Sequence, residues 1–394
     1  MLQRLFRSTL AALFLLLAVS LPVRAQSAAD ARAAVPSPLM LARGDAGVAL
    51  PDRATALFYN PAHLGQATGA HVTITGLSIG SSSSVLDAID FYENELANAD
   101  DLSDSELEEV EDRAYDLLGS PITLRSTVHL PSFSFRAGSV GVGFGAFVQQ
   151  TARAQAVDTG ARYPEAAVFG QVDGIVALAA GAPVVGTPLT LGVSGRYVQR
   201  HVSAYREEID DFDTPPLLRG STLAFDVGAL YQTKVPGLTA GLAVYDLVGG
   251  GMSYSRTDFY GLLGDVDADS DVEEQAREAL EDRGGPSLRL GAAYQVPAER
   301  LGGFGRAAVM ADWLSSSTTE DGQGLFRKLR LGAEAGFGPI RLRGGFGQGY
   351  PSVGAGLDLL VLRLDYALYA QQEGLASASD GATYAHFLQV RIGR

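Results

Sequence analysis

Three clusters of side chains have the types and spacing to do chemistry. "GLSIG", Gly76 to Gly80, matches a nucleophile elbow around Ser78, and Asp365 and His386 follow in the chain order of a hydrolase. That chemistry needs a parallel sheet wrapped by helices, and no stretch here alternates strand with helix. Ser78 is therefore expected to end a strand at a loop. "DVDADSDVEE", Asp265 to Glu274, spaces Asp265, Asp267, Asp269 and Asp271 like a calcium loop. Its sixth position is Ser270 and not glycine, and its twelfth is Ala276 and not glutamate, which points to a solvated acidic loop. The third cluster is the five histidines, His63, His71, His129, His201 and His386. They lack metal-ligand spacing, and with no cysteine in the chain thiolate chemistry is excluded. No metal and no cofactor are expected.

The most informative charged set is Arg289, Asp312, Arg330, Glu334, Arg341, Arg343, Arg363, Asp365 and Arg391. Each sits opposite an apolar row in a segment of period two. Such a set would line one side of an enclosed space. It would brace the wall as an ion-pair lattice, or anchor a plug or the polar head of a ligand.

The elements that would position these residues are strands. "VGVGFGAFV" alternates Val140, Val142, Phe144, Ala146 and Val148 with Gly141, Gly143 and Gly145. "TLAFDVGALY" sets Leu223, Phe225, Val227, Ala229 and Tyr231 against Asp226. About fourteen such strands are legible, close to the even numbers of bacterial barrels. They lie near 70–79, 122–136, 139–150, 166–180, 188–200, 220–232, 237–247, 286–297, 305–315, 327–337, 339–346, 352–360, 361–370 and 382–393. Pro131 and a parity flip from Val128 to Phe133 mark a bulge in the second. Connections alternate between long (80–121, 151–165, 201–219, 248–285) and short, as in an outer-membrane barrel with both termini periplasmic. Tyr197, Tyr231, Tyr294, Trp313 and Tyr366 near strand ends suit an aromatic girdle.

The termini and charge agree with that class. Arg4 and Arg7, the apolar run Leu10 to Leu21 and Val23-Arg24-Ala25 read as a signal peptide over 1–25, cleaved before Gln26. The formal charge of −15 is concentrated in loops: residues 81–120 hold thirteen acids against Arg113, and 261–285 hold nine against Arg277 and Arg283. Such a distribution excludes nucleic-acid binding. Helices are expected only inside loops. One is "SDSELEEVEDRAYDLL", with Ser105 and Glu108 as a capping box, and its partner carries Leu86, Ile89, Glu93 and Leu96. The domains are then the signal peptide, an N-terminal hatch over 26–69, and a barrel over 70–394 with acidic insertions at 80–121 and 248–285.

"GDAGVALPDRATALFYNPAHLG", Gly44 to Gly65, resembles the N-terminal hatch of the FadL-type outer-membrane family, with its Asn60-Pro61-Ala62. The resemblance implies that Phe58, Tyr59, Asn60, Pro61, Ala62 and Leu64 belong to a plug. There the Asn60 amide would bond free backbone groups or lumen arginines such as Arg341 and Arg343. "LAFDVGALYQTKVPGLTAGLAVYDLVGG", "LRLGAEAGFGPIRLRGGFG" and "LRLDYALYA" resemble strand pairs of the PorV/PorQ branch, whose members serve the type IX secretion system. Arg394 stands where such barrels often end in an aromatic, and Asp246 where the branch often has Asn. The resemblance implies a non-catalytic component of protein export, with outer-membrane lipid, secretion proteins and exported cargo as partners. The alternative is an uptake channel for fatty acids or other hydrophobic small molecules. A third is an outer-membrane serine hydrolase.

Overall fold

Alternating apolar and polar residues, punctuated by Gly and Pro turns, dictate strands, and the chain closes them into one antiparallel barrel. A computed structural model of the chain describes residues 35–94, 103, 109–110, 112–113, 116–117, 119–120, 122–157, 165–208, 217–249, 251–256, 286–301, 305–316, 328–371 and 383–393. The expected signal peptide, the loop Asp265 to Asp271 and most of the helix expected from Ser105 lie outside the described residues.

Fourteen strands form the wall: β1 (His71–Ser82), β2 (Ile122–His129, continued as Ser132–Ala137), β3 (Val140–Val157), β4 (Glu165–Pro183), β5 (Leu189–Glu208), β6 (Leu217–Gln232), β7 (Leu238–Val248), β8 (Ser287–Gln295), β9 (Arg306–Ser316), β10 (Leu329–Phe337), β11 (Ile340–Gly347), β12 (Tyr350–Asp358), β13 (Leu362–Gln371) and β14 (Thr383–Gly393). Each pairs with its neighbours in sequence, and β1 pairs with β14 (Ile79↔Leu388) to close the ring. A short strand, Tyr254–Arg256, adds to β6. The helix α3 (Ser84–Asn94) follows β1, which is where the residues Leu86, Ile89 and Glu93 place it.

Burial is inverted relative to a soluble protein. Ile74, Leu178, Val193 and Leu342 are more than half exposed on the outer face, while Ser78, Asp173, Asp226 and Gln389 are at most 2% exposed within. Water would not tolerate that arrangement over a whole surface, whereas lipid requires it.

Two irregularities have local causes. Across Leu130-Pro131 the pairing of β2 with β1 keeps one register, but on the β3 side His129↔Phe147 becomes Phe133↔Phe144. The extra residue turns both Val128 and Phe133 outward. In β7 the register against β6 shifts between Phe225 and Val227, and Asp246 there has φ 50. Asp and Asn tolerate that left-handed geometry better than other non-glycine residues, so either fits at position 246.

The expected loops 151–165 and 201–219 are a correction. Strands β3 to β6 run through much of them, with 18, 19, 20 and 16 residues, against roughly ten for a tilted crossing. Arg153, Gln155, Arg200 and Val202 continue the inward parity, so the ladder has no cause to stop where the lipid-facing apolar row ends.

Candidate functional site: the lumen and the segment inside it

Residues 35–67 lie within the ring. Three short helices break them up: α1 (Pro38–Leu41), α2 (Ala56–Tyr59) and a 3-10 turn (Pro61–Gln66). Pro38 and Pro61 sit at first helical positions, where a missing N–H costs nothing. Asn60 is extended (φ −162) between two of these pieces, because the following proline disfavours helical geometry.

Glycines on the inner wall let this segment come close. A Cβ at Gly141 would lie 1.9 Å from Leu64 O, at Gly192 2.2 Å from Ala62 N, and at Gly228 2.1 Å from Asn60 Oδ1. On the opposite side a Cβ at Gly345 would lie 2.1 Å from Gly44 N. Within "GVGFG", Gly141 leaves room for backbone of the inner segment, while Gly143 and Gly145 leave room for the side chains of Leu57 and Leu64 or Phe147.

Asn60 is fully buried and its Nδ2 donates to Val48 O (2.8 Å), Ala229 O (3.2 Å) and Leu242 O (3.3 Å). Its Oδ1 accepts from Ala62 N at 3.1 Å. The expected bonds to Arg341 and Arg343 are absent; Asn60 sits between β6 and β7, whereas those arginines belong to β11 and pair with Asp358, Glu334 and Asp365. Phe58 packs edge-on to Phe147 at 5.4 Å, Leu64 is buried, and Tyr245 donates its hydroxyl to Tyr59 O at 2.7 Å.

The charged residues of β8–β14 meet one another and the inner segment. Arg43 pairs with Glu334 (2.6 Å), Glu334 with Arg343 (2.7 Å), and Arg343 with Asp365 (2.8 Å). Asp52 lies 3.3 Å from Arg363 and 3.5 Å from Arg391, both of which also reach Asp365. Arg289 holds Asp45 at 2.9 Å, and Asp312 accepts from the N–H groups of Gly47 and Val48 at 2.7 and 2.9 Å. Arg330 is buried in the same wall, while Arg341 lies at its edge beside Asp358. Burial alone would raise the carboxyls of Asp45 and Asp52. Arg289 holds Asp45 below the usual range, and Arg363 and Arg391 hold Asp52 well below it. Arg43, Asp45 and Asp52 are the partners that strand periodicity could not identify, since they lie outside any strand.

On β3–β6 the inward face is mixed: Arg200 pairs with Asp173 (2.8 Å) and Arg196 with Asp226 (2.5 Å), and an apolar cluster stands beside them. Val35, Leu39, Met40, Leu57 and Phe58 of the inner segment cluster with Phe147, Phe169, Ile175, Val198, Val202 and Leu218. Met252 and Tyr254 complete this cluster.

Ser78, Asp365 and His386 do not come together as a triad. Ser78 faces inward and contacts His129 Nε2 (3.2 Å) and Gln389 Nε2 (2.7 Å). His386 lies on the outward parity of β14, bonded to the Tyr366 hydroxyl at 2.8 Å, and Asp365 is engaged by arginines. Ser78 and His386 are therefore on opposite sides of the wall, because one lies at an even position of β1 that faces in and the other at an even position of β14 that faces out. Among the described residues no three His, Cys, Asp or Glu side chains converge to hold a metal.

No protein-family model and no curated protein matches the sequence. Solved structures do. The toluene transporter TbuX of Ralstonia pickettii is similar with a TM-score of 0.50 at 12% identity, over 91% of this chain and 98% of that one. The toluene transporter TodX of Pseudomonas putida is similar with a TM-score of 0.50 at 10% identity, over 92% and 98%. At such identity the likeness concerns the fold alone, a closed all-β antiparallel barrel. It lends no support to the PorV/PorQ branch or to type IX secretion.

Proposed function

We propose that this chain is a non-enzymatic outer-membrane channel for hydrophobic small molecules, with the described residues 35–69 as an internal hatch. The reading reverses the order of the two main expectations, placing uptake before protein export. The observation that carries it is the apolar cluster on the inner face of β3–β6. Apolar side chains turned into a lumen gain nothing from lipid, and they suit a water-poor passage. Val198, Val202 and Leu218, each at most 1% exposed, face inward in this cluster, and the charges beside them, Arg196, Arg200, Asp173 and Asp226, are paired with one another. The hatch role rests on the glycine approach, the Asn60 bonds and the ion pairs of Arg43, Asp45 and Asp52. The transporters of similar fold, whose names specify toluene, favour the same class of cargo.

Expression in a bacterium with an intact lipopolysaccharide layer tests this. Entry of an apolar fluorescent probe such as N-phenylnaphthylamine should accelerate. Val198→Asp should abolish the gain while heat-modifiable gel mobility shows a folded barrel. Probe entry at the rate of cells lacking the protein would refute the uptake reading. Co-purification of large exported proteins from native membranes would restore the export reading.

A further inference from the structure

We propose that the lumen carries a head-group site for a neutral hydroxyl-bearing apolar molecule, a phenol or an alcohol, formed by Thr127, Gln149 and Gln389. The proposal rests on the uptake reading and narrows its cargo.

Four inward polar residues occupy one row on adjacent strands: Gln389 opposite Ser78, Ser78 opposite Thr127, and Thr127 opposite Gln149. Ser78 and the Gln389 amide nitrogen are used, since Gln389 Nε2 reaches both Ser78 Oγ (2.7 Å) and His129 Nε2 (2.8 Å). What remains is rich in acceptors: two amide oxygens that only accept, and one hydroxyl that can also donate. Gln389 Oε1, Thr127 Oγ1 and Gln149 Oε1 are buried with no hydrogen-bond partner. A buried acceptor left unmet costs about 1–3 kcal/mol, and three in one row, Thr127 next to Gln149 and Gln389 one strand beyond Ser78, are costly for a wall to retain without use.

The row borders the apolar cluster. His129, bonded to Ser78, lies edge-on to Phe147 at 5.3 Å, and Phe147 meets Phe58 of the hatch at 5.4 Å. A molecule with its body among Phe58, Phe147 and Ile175 would bring a hydroxyl towards the three oxygens. A carboxylate head would face the two amide oxygens, which repel it, and the nearby Arg391 is already held by Asp52 and Asp365. An ammonium head would lie near Arg391, two residues from Gln389 on the same inward face. A neutral donor is the chemistry left.

Binding to the full-length protein in nanodiscs tests the site, with empty nanodiscs subtracting lipid partition. The probes are 4-propylphenol, 1-octanol, propylbenzene and 4-propylbenzoate. One charge-free hydrogen bond to a buried acceptor predicts phenol and octanol binding roughly tenfold tighter than propylbenzene. The benzoate should be weakest. Thr127→Val combined with Gln389→Met should bring the phenol down to propylbenzene, leaving propylbenzene unchanged. Thr127→Ser, which keeps the hydroxyl, should keep the preference, and unaltered heat-modifiable mobility establishes that each variant is folded. Equal binding of phenol and propylbenzene to the parent overturns the head-group site and leaves the uptake reading standing; a bridging water in the row would give this result. Binding of none of the probes overturns both.

Discussion

Adding a single methyl group to the inner wall should unseat the inner segment, the proposed hatch, without harming the barrel. In Gly192→Ala the new Cβ lies 2.2 Å from Ala62 N and 2.4 Å from Pro61 C. Both are backbone atoms and cannot rotate away. Ordinary contact begins at 3.4 Å, so the 3-10 turn must withdraw by about 1.2 Å. The Asn60 amide sits at the head of that turn, and its bonds to Ala229 O and Leu242 O are already 3.2 and 3.3 Å long. Withdrawal takes both beyond hydrogen-bond range. At about 1 kcal/mol each, the docked hatch loses about 2 kcal/mol, roughly a thirtyfold shift towards the undocked form. The wall itself keeps its ladder, because alanine fits a strand. Gly174→Ala is the control, since its nearest neighbour would be Gln199 O at 3.9 Å. Single-channel recording in planar bilayers reads the outcome: Gly192→Ala should open far more often than the parent, and Gly174→Ala should match it. A Gly192→Ala channel as closed as the parent would show that the glycine row does not seat the hatch.

Three further outcomes follow from the same geometry. Deleting residues 54–65 should leave heat-modifiable mobility intact and raise conductance, because the barrel ladder nowhere depends on this stretch; a deleted form as closed as the parent would remove the hatch reading. Asp52→Asn should raise opening at neutral pH. The folded carboxyl of Asp52 lies below its ordinary value of 3.8, so its contribution is fully present above that pH and is lost only as pH falls through the lowered value. The parent should therefore stay closed from neutrality down to about pH 4, and opening that begins near pH 6 would contradict the assignment. Leu178→Arg, on the lipid face at 60% exposure, should cost roughly 2–4 kcal/mol if the site lies near the membrane midplane, and less towards its edges; lowered recovery from the membrane fraction and a lower unfolding midpoint check it.

Much of the barrel was legible because lipid and lumen impose opposite demands on successive residues. Val193 and Ser194, or Phe225 and Asp226, declare their sides by type alone. The strand ends at Val157 and Glu208 were not legible for the same reason: beyond the lipid, the outward side chain no longer has to be apolar and the period fades while the ladder continues. The contacts of the inner segment were less legible still. Arg43 and Glu334 are 291 residues apart, and no local pattern couples a residue of the inner segment to one strand among fourteen. What could have pointed to them is the glycine set. Gly141, Gly192, Gly228 and Gly345 all stand at inward positions of strands that otherwise favour larger side chains. A wide barrel cannot need small residues to relieve crowding among its own wall side chains. Their recurrence on one face of several strands therefore argues for a second layer of backbone lying against that face, and residues 35–67, ahead of the first strand, supply it.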